Sequence, residues 1–215
     1  MNLIIFGPQG SGKGTQASKL AQKYNLKHVE TGQIFREISK EDSPRGKMIA
    51  QFLNEKNEMI PDNIAVDTLK HYLEKVSPDA GLIIDSAPRT VGQIELVEKM
   101  LKQLGRQLDK AIYITLPYEQ SVARVSKRYK CPACNKKFVL GKDIQSKEDP
   151  CPICGGPVIQ RKDDTPEGIA KRLKDFHKIT MPVIEHYREK GMLLEADGNQ
   201  DVEKVFEDIK QALGD

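Results

Sequence analysis

The chain has 215 residues, of which 38% are hydrophobic and 30% are charged, a composition typical of a globular protein with one sizeable core. Its net charge of +3 is too small to indicate a nucleic-acid partner, and no apolar run approaches the roughly 20 residues that a membrane helix needs. Because the chain opens on an apolar stretch that we interpret as a core strand, we expect no signal peptide and a cytoplasmic protein.

The first stretch predicts a strand over residues 3–6, a glycine-rich turn, and a helix from Thr15 onward. Four glycines surround Lys13, namely Gly7, Gly10, Gly12 and Gly14. Such a turn directs backbone N–H groups at one point, and the helix N-terminus and the lysine add positive charge. We interpret it as a P-loop for nucleotide phosphates, with one departure: Gly14 follows the lysine, so the hydroxyl comes at Thr15. The alternative is a glycine-rich turn without function.

The rest of the chain alternates between predicted strands and helices. Further strands are predicted over 28–29, 81–85, 111–116 and 192–195. Helices are predicted over 33–39 with Thr31 as its cap, 44–53, from 61, 90–103, 118–129, 165–187 with an interruption near Pro182, and 201–213. This alternation predicts an α/β fold with a parallel five-stranded sheet flanked by helices.

Four cysteines interrupt this pattern between residues 130 and 160. They form two Cys-Pro-x-Cys pairs, Cys131 with Cys134 and Cys151 with Cys154, separated by sixteen residues. Two such turns can bring four thiolates into one tetrahedron, which predicts a Zn²⁺ site. Because no ligand position is left for water, the metal is expected to be structural. Two disulfides or free thiols are the alternative, disfavoured in a cytoplasmic protein.

Polar residues around the predicted P-loop indicate phosphate chemistry. Asp85 ends a predicted buried strand, where P-loop proteins place an acid that orients Mg²⁺, although it could also cap the following turn. Arg124 and Arg128 are spaced i and i+4, so we expect both on one helix face. The other arginines near the predicted loops are Arg36, Arg89, Arg161 and Arg172. Each alone is most simply a surface charge, but six together favour neutralisation of several phosphates during phosphoryl transfer.

These motifs together resemble the adenylate kinases, in their long, zinc-bearing form among the nucleoside monophosphate kinases. The resemblance covers essentially the whole chain. Its motifs are the P-loop through Gln16, Thr31-Gly32 with Arg36, Ile60-Pro61-Asp62, Asp85-x-x-Pro-Arg-Thr90 with Gln93, Arg124-x-x-x-Arg128, the four cysteines, Arg161-x-Asp-Asp164 and Lys171-Arg172-Leu173. The resemblance implies a core of residues 1–30, 61–125 and 164–215, a helical monophosphate-binding insert at 31–60, and a zinc-ribbon lid at 126–163.

The resemblance also implies a role for individual residues. The ATP site would comprise Gly10, Ser11, Gly12, Lys13, Gly14, Thr15, Arg124, Arg128, Lys137, Phe138 and the Gln200 backbone. The AMP site would comprise Thr31, Arg36, Glu58, Met59, Ile60, Ser86, Ala87, Pro88, Arg89, Gln93, Arg161 and Arg172. Lys13, Arg89, Arg128, Arg161 and Arg172 would be catalytic, with Thr15 and Asp85 facing Mg²⁺ through water.

The chain departs from the family pattern in four places, and Gln33 removes a carboxylate that the family often places near the water shell of Mg²⁺. Gln33 stands where an aspartate is usual, and Ser86 and Ala87 replace a glycine and an aromatic residue. Lys56 and Asn57 stand where a glycine is common, and the lid lacks the usual Asn-Pro-Pro run. The acceptor pocket is therefore expected to be reshaped.

The first function hypothesis is reversible, Mg²⁺-dependent transfer of the γ-phosphoryl group of ATP to AMP by a monomeric enzyme. Gln93 favours AMP, because a carboxamide can pair with the N1 and N6 edge of adenine. A kinase for UMP, CMP or another monophosphate is the alternative within this class. A P-loop ATPase switch whose zinc ribbon binds nucleic acid or protein is the alternative from another class; basic residues around the cysteines are its support.

Overall fold

The computed structural model describes residues 1–56, 59–160 and 164–215. The strands are β1 Asn2–Phe6, β2 Leu26–Glu30, β3 Gly81–Asp85, β4 Lys110–Thr115, β5 Arg128–Lys130, β6 Lys137–Val139 and β7 Leu193–Asp197. Five of them form a parallel sheet at the centre of the structure, in the order β2-β3-β1-β4-β7. The predicted parallel α/β sheet is confirmed, since the buried apolar runs each form one of its strands.

Helices cover both faces of the sheet. They are α1 Lys13–Lys23, α2 Thr31–Ile38, α3 Pro44–Ala50, α4 Asp62–Leu73, α5 Val91–Gln103, α6 Tyr118–Ser126, α7 Pro166–Asp175, α8 Met181–Glu189 and α9 Val202–Leu213. Alternate residues of β1 face opposite layers: Ile4 and Phe6 pack into one hydrophobic cluster, and Leu3 and Ile5 into the other. Within the described part of the chain, no helix has the length and apolar character that crossing a membrane requires.

The predicted cap of α2 is wrong. Thr31 is the first residue of the helix, and Glu30 holds the N-cap position without a capping hydrogen bond from its side chain. The Thr31 hydroxyl instead donates to the carbonyl oxygen of Asp85 at 2.9 Å, which ties α2 to the end of β3. Elsewhere the capping signals act locally, because Ser43, Thr90 and Thr165 each accept a hydrogen bond from a backbone N–H three residues on.

The predicted helix over 118–129 is too long, and its i, i+4 arginine pair is wrong. Helix α6 ends at Ser126, and Arg128 begins β5, where it pairs with Val139 of the antiparallel strand β6. Arg124 and Arg128 therefore lie on different elements. Strand pairing with β6 outweighs the helical periodicity of the sequence at this point.

The predicted helix over 165–187 is interrupted, but ahead of Pro182. A π-helical segment, Phe176–Thr180, separates α7 from α8, and Pro182 lies in the first turn of α8. A second π-helical segment, Gln51–Lys56, follows α3. Proline has no N–H to donate to the preceding turn, so a wider turn just before it avoids an unsatisfied carbonyl.

The segment with the cysteines forms a small body around the β5–β6 hairpin. Lys130 also bridges to Ile159, so that both ends of the segment meet. Its interior holds Cys131 and Cys151 together with Phe138, Ile144 and Val158. This cluster is small, as expected for a segment that relies on a metal rather than on a large core.

Candidate active site

The P-loop lies between β1 and α1, as the sequence predicts. Gly10 and Gly12 have φ angles of +83° and +88°, a region that favours glycine. A Cβ on Gly10 would also lie 3.2 Å from the carbonyl oxygen of Ser121 and 3.3 Å from Cβ of Arg124. The buried Ser11 hydroxyl has no hydrogen-bond partner among the residues that the structure describes. The turn is therefore shaped to present backbone N–H groups at the start of α1.

Lys13 lies at the centre of a group of charges. Burial lowers its pKa below the usual lysine value, Asp85 raises it, and the cations Arg128 and Lys137 lower it further. Glu30 is a weaker counter-charge. Three cations from different parts of the chain thus converge on the P-loop, an arrangement suited to a polyanion.

Asp85 reaches the P-loop through the sheet register. It pairs with Ile5 of β1 on one side and Glu30 of β2 on the other, so both acids lie at the same carboxyl edge. Burial alone would raise the pKa of Asp85, but His28 at 3.7 Å and the Lys13 charge hold it below its usual value. The residue is therefore a buried carboxylate.

Mg²⁺ prefers oxygen ligands, and suitable ones meet here. A Cβ on Gly14 would lie 3.6 Å from Oδ2 of Asp85, so the start of α1, with the exposed Thr15, borders the acid. Ser86 donates its hydroxyl to Oδ1 of Asp85 at 2.8 Å and has a φ of +72°, a backbone conformation that favours glycine, the residue usual here in the family pattern.

The segment with the cysteines, which is the predicted lid, also reaches the P-loop and the carboxyl edge of β2. Nζ of Lys137 on β6 lies 3.4 Å from Oε2 of Glu30, and it would be 3.7 Å from a Cβ on Gly14. The other Glu30 oxygen lies 3.7 Å from Nη2 of Arg36 on α2. One carboxylate at the edge of the sheet therefore joins a lid lysine to an arginine of the predicted acceptor site.

Two predicted catalytic arginines share one buried acid. Arg128 donates to both oxygens of Asp164, through Nη2 at 2.7 and 2.9 Å and Nε at 3.1 Å. Arg172 of α7 donates to Oδ1 of the same carboxylate at 2.7 Å. The pKa of Arg89 lies below its usual value, because burial lowers it and the nearby charge of Arg172 lowers it further, whereas Asp175 raises it. Arg172 therefore lies close to Arg128, through Asp164, and near enough to Arg89 for their charges to interact.

The predicted acceptor residues lie around the ends of β2 and β3. Ala87 and Ile60 are buried, whereas Met59 is exposed. Pro88 precedes Arg89 in the turn that leads from β3 to α5, and Ala87 and Pro88 are joined by a cis peptide bond. Gln33, the departure on α2, is exposed and donates to Glu37 at 2.8 Å. Glu58 and Arg161 lie outside the described residues.

The residues predicted to lie by the adenine of ATP are Arg124 and Gln200. Arg124 donates through Nη1 to the carbonyl oxygen of Gly198 at 2.8 Å and lies 3.4 Å from that of Gly10. It thereby joins the P-loop to the loop between β7 and α9, which contains Gln200. The Phe138 side chain is buried in the lid interior, so only its backbone is placed to contact a nucleotide.

The four cysteines form one cluster. All four sulfur atoms lie within 4.8 Å of one another, with Cys131 to Cys154 at 3.5 Å and Cys134 to Cys151 at 3.6 Å. A zinc–sulfur bond of about 2.3 Å puts tetrahedral sulfurs roughly 3.8 Å apart, whereas a disulfide would need about 2.05 Å. The cluster therefore has the size of a metal site, and the disulfide alternative is wrong.

The electrostatics of the cluster also favour a cation. Backbone N–H groups of Cys134 and Ala133 lower the pKa of Cys131 to about 7. The pKa of Cys154 rises to about 12, despite a hydrogen bond from the Gly156 backbone, because the other sulfurs lie beside it. Four thiolates so close together need a positive ion between them.

Sequence reasoning assigned no role to four polar residues that contact the site. Asp164 was part of a motif, His28 lies in the predicted strand 28–29 and Glu30 directly follows it, but their partners are far away in the chain. Asp62 starts α4 and bonds to Gln93 on α5. An acid at the carboxyl end of a strand, as at Glu30, is the one signal that the sequence offered.

The comparisons agree with this geometry. A family model described as "Adenylate kinase" matches residues 5–192. A protein named adenylate kinase from Caldicellulosiruptor saccharolyticus is 37% identical over 214 residues, which is 100% of this chain and 99% of that protein. Adenylate kinases from Methanosarcina acetivorans and Thermoanaerobacter sp. (strain X514) are 38% and 37% identical, covering 99% and 100% of this chain and 98% and 99% of theirs. The chain belongs to the adenylate kinase family.

Proposed function

We propose that this chain catalyses the reversible transfer of the γ-phosphoryl group of ATP to AMP, giving two molecules of ADP. The relatives named adenylate kinase, aligned over the whole chain, support this activity. The observation that carries the proposal is the convergence of Lys13, Arg128 and Lys137 on the P-loop, with Asp164 joining Arg128 to Arg172. Phosphoryl transfer depends mainly on positioning and on positive charge around the migrating group, and this arrangement provides both.

On the donor side, the P-loop residues Gly10 to Thr15 bind the ATP phosphates, with Lys13 as the cation closest to them. Arg124 and the Gln200 backbone border the adenine, and the Phe138 backbone and Lys137 cover the nucleotide from the lid. The contact of Arg124 with both the P-loop and the β7–α9 loop supports this assignment.

On the acceptor side, Thr31, Arg36, Arg89 and Gln93 bind the monophosphate, together with residues 58–60 and 86–88. Arg36 and Arg89 neutralise its phosphate, because both are cations near the carboxyl edge of β2 and β3. Arg161 and Arg172 approach the transferred group from the lid side. Arg161 belongs to this set on the strength of the family motif alone.

Two metals complete the proposal. Asp85 and Thr15 would hold Mg²⁺ through its water ligands, and that ion would neutralise charge on the ATP phosphates. Zn²⁺ would bind to Cys131, Cys134, Cys151 and Cys154 in a structural role, since all four positions of its tetrahedron are taken by protein. The sulfur distances support this choice of metal.

The chain also has to keep water from taking the phosphoryl group. We assign residues 31–60 and 126–163 to two inserts that close over a core of 1–30, 61–125 and 164–215. Closure brings Lys137 over the P-loop and Arg128 beside Arg172, so the site is complete only when solvent is excluded. The family resemblance further supports a cytoplasmic monomer without a nucleic-acid partner.

The test is a coupled assay with ATP, Mg²⁺ and each of AMP, GMP, UMP and CMP. AMP is expected to be the best acceptor by kcat/KM, and ATP hydrolysis without an acceptor is expected to be very slow beside transfer. If UMP or CMP has the highest kcat/KM, the proposed acceptor is that pyrimidine monophosphate and not AMP. Brisk hydrolysis with no transfer to any monophosphate would instead favour the ATPase alternative.

A further inference from the structure

The side chain of Gln93 is bonded at both ends of its amide. Its Oε1 accepts the backbone N–H of Arg89 at 2.7 Å, and its Nε2 donates to Oδ1 of Asp62 at 2.9 Å. The other Asp62 oxygen accepts the hydroxyl of Thr90 at 2.9 Å. Gln93 is buried, with 5% of its surface exposed, so water does not compete freely for these bonds.

These partners determine which way the amide of Gln93 faces. A backbone N–H can only donate a hydrogen bond, and an ionised carboxylate can only accept one. Turning the amide by 180° would lose both bonds, and it would set oxygen against the carboxylate and N–H against N–H. The orientation therefore follows from the chemistry of Arg89 and Asp62.

A fixed amide distinguishes two kinds of purine. After these bonds, Oε1 can still accept one hydrogen bond and Nε2 can still donate one. Adenine offers a donor at N6 and an acceptor at N1, whereas a 6-oxopurine offers an acceptor at O6 and a donor at N1. A freely turning carboxamide could satisfy either edge. A carboxamide that cannot turn favours adenine, because a 6-oxopurine would set its O6 acceptor against the Oε1 acceptor and its N1 donor against the Nε2 donor.

We propose that Asp62 is a specificity-determining positioning residue, which holds the Gln93 amide in the orientation that accepts adenine and rejects 6-oxopurine monophosphates. The inference rests on the proposed function, because it names how that acceptor site selects its base. Asp62 acts through Gln93 and does not itself touch the nucleotide.

The experiment compares AMP with IMP, which differ only at this edge of the purine. The ratio of their kcat/KM values is measured for wild type, Asp62→Ala, Gln93→Ala and the double variant. Calorimetric Kd values for AMP and IMP provide a second readout that is independent of turnover. Asp62→Ala is expected to lower the AMP-to-IMP ratio about tenfold, since it removes a hydrogen bond to a charged group. In the Gln93→Ala background the same change should leave the ratio within twofold.

Thr90→Val is the matched control. It removes the hydrogen bond to the other Asp62 oxygen and the cap of α5, in which the Thr90 hydroxyl accepts the Gln93 backbone N–H, but it leaves both hydrogen bonds of the Gln93 side chain in place. Its thermal midpoint should fall while its AMP-to-IMP ratio stays within twofold of wild type. If Asp62→Ala does not fold, Asp62→Ser takes its place, because a serine is tolerated at a helix start and is too short to reach Nε2.

The outcomes separate the inference from the proposed function. A wild type that prefers AMP, with a folded Asp62 variant whose ratio is unchanged, overturns the inference and leaves the kinase standing. Equal effects of Asp62→Ala in both backgrounds also overturn it, because Asp62 would then act without Gln93. A wild type that phosphorylates neither purine monophosphate overturns both.

Discussion

Asp164→Asn is expected to lower both the stability of the protein and its turnover. The Asp164 side chain is fully buried, while those of Arg128 and Arg172 are 24% and 19% exposed. Breaking a buried ion pair typically costs about 3–5 kcal/mol, and the partial exposure of the arginines places this case near the lower end, at about 3 kcal/mol. For a chain of this length each kcal/mol corresponds to about 2–4 °C, so the thermal midpoint should fall by roughly 6–12 °C.

Turnover should fall as well, for a separate reason. Without the negative charge, the two guanidinium groups repel each other and leave the positions from which, in the proposed function, they serve the phosphoryl group. A displacement of about 1 Å in a catalytic group can cost on the order of 10²-fold, which is the loss of kcat expected here. Because both nucleotides still have their other contacts, KM should change less than kcat.

The assay combines calorimetric melting without nucleotide and the coupled assay with saturating ATP and AMP. Asp42→Asn is the control, because Asp42 and Lys47 form an ion pair of similar length, 2.8 Å, with side chains 91% and 72% exposed. Such a pair contributes at most about 1 kcal/mol, so its loss should hardly move the midpoint. An Asp164→Asn enzyme that melts within about 2 °C of wild type and keeps its kcat would refute the reasoning.

Four further predictions concern the charges and the metal. Lys13→Met should lower kcat by about 10³-fold or more, because it removes the P-loop cation. It should also raise the thermal midpoint measured without nucleotide, because burying the charged ammonium is unfavourable, as the lowered pKa of Lys13 indicates. A lower midpoint would contradict this reasoning. Glu30→Gln should shift the lid towards open states by up to about fivefold in single-molecule FRET, since it removes the contact with Lys137, and an unchanged distance distribution would count against it. Unfolding in chelator and refolding without metal should lower the thermal midpoint, whereas metal analysis that finds no zinc in purified protein would exclude the site. The pKa of Asp85 is lower in the folded protein than in the unfolded chain, so the stability that its carboxylate contributes is complete above about pH 4 and is lost as the pH falls through the folded pKa. The free energy of unfolding of Asp85→Asn should therefore depend less steeply on pH in this acid range. Identical acid-unfolding curves for the variant and wild type would argue against this role of Asp85.

Local features of the site could be predicted well from the sequence. The P-loop needs only a buried strand, glycines at positive φ and a following helix, all within residues 2–23. The cysteine cluster likewise follows from two short turns of fixed spacing. The P-loop and each cysteine turn depend on the backbone conformation of a few adjacent residues. For this reason they can be predicted without knowing which distant residues lie beside them.

Other features depended on which elements become neighbours. The periodicity around Arg128 favoured a helix, yet pairing with Val139 placed this arginine on a strand, where it meets Asp164. Capping chemistry favoured Thr31 as a helix cap, yet its hydroxyl bonds to Asp85, 54 residues away. In each case a long-range partner outweighed a local preference of similar or smaller energy.

The sequence by itself determined the kind of chemistry: a phosphate-binding loop, an acid at a strand end, a cluster of four cysteines and an excess of arginines. Only the tertiary structure decided how the charges are paired, because contacts such as Lys137 with Glu30 and Gln93 with Asp62 join residues 107 and 31 positions apart. Sequence periodicity specifies which face of an element is buried, whereas sheet register and lid packing specify which side chains meet across elements. The direction of the Gln93 amide, and with it the proposed choice of base, is set by these long-range contacts.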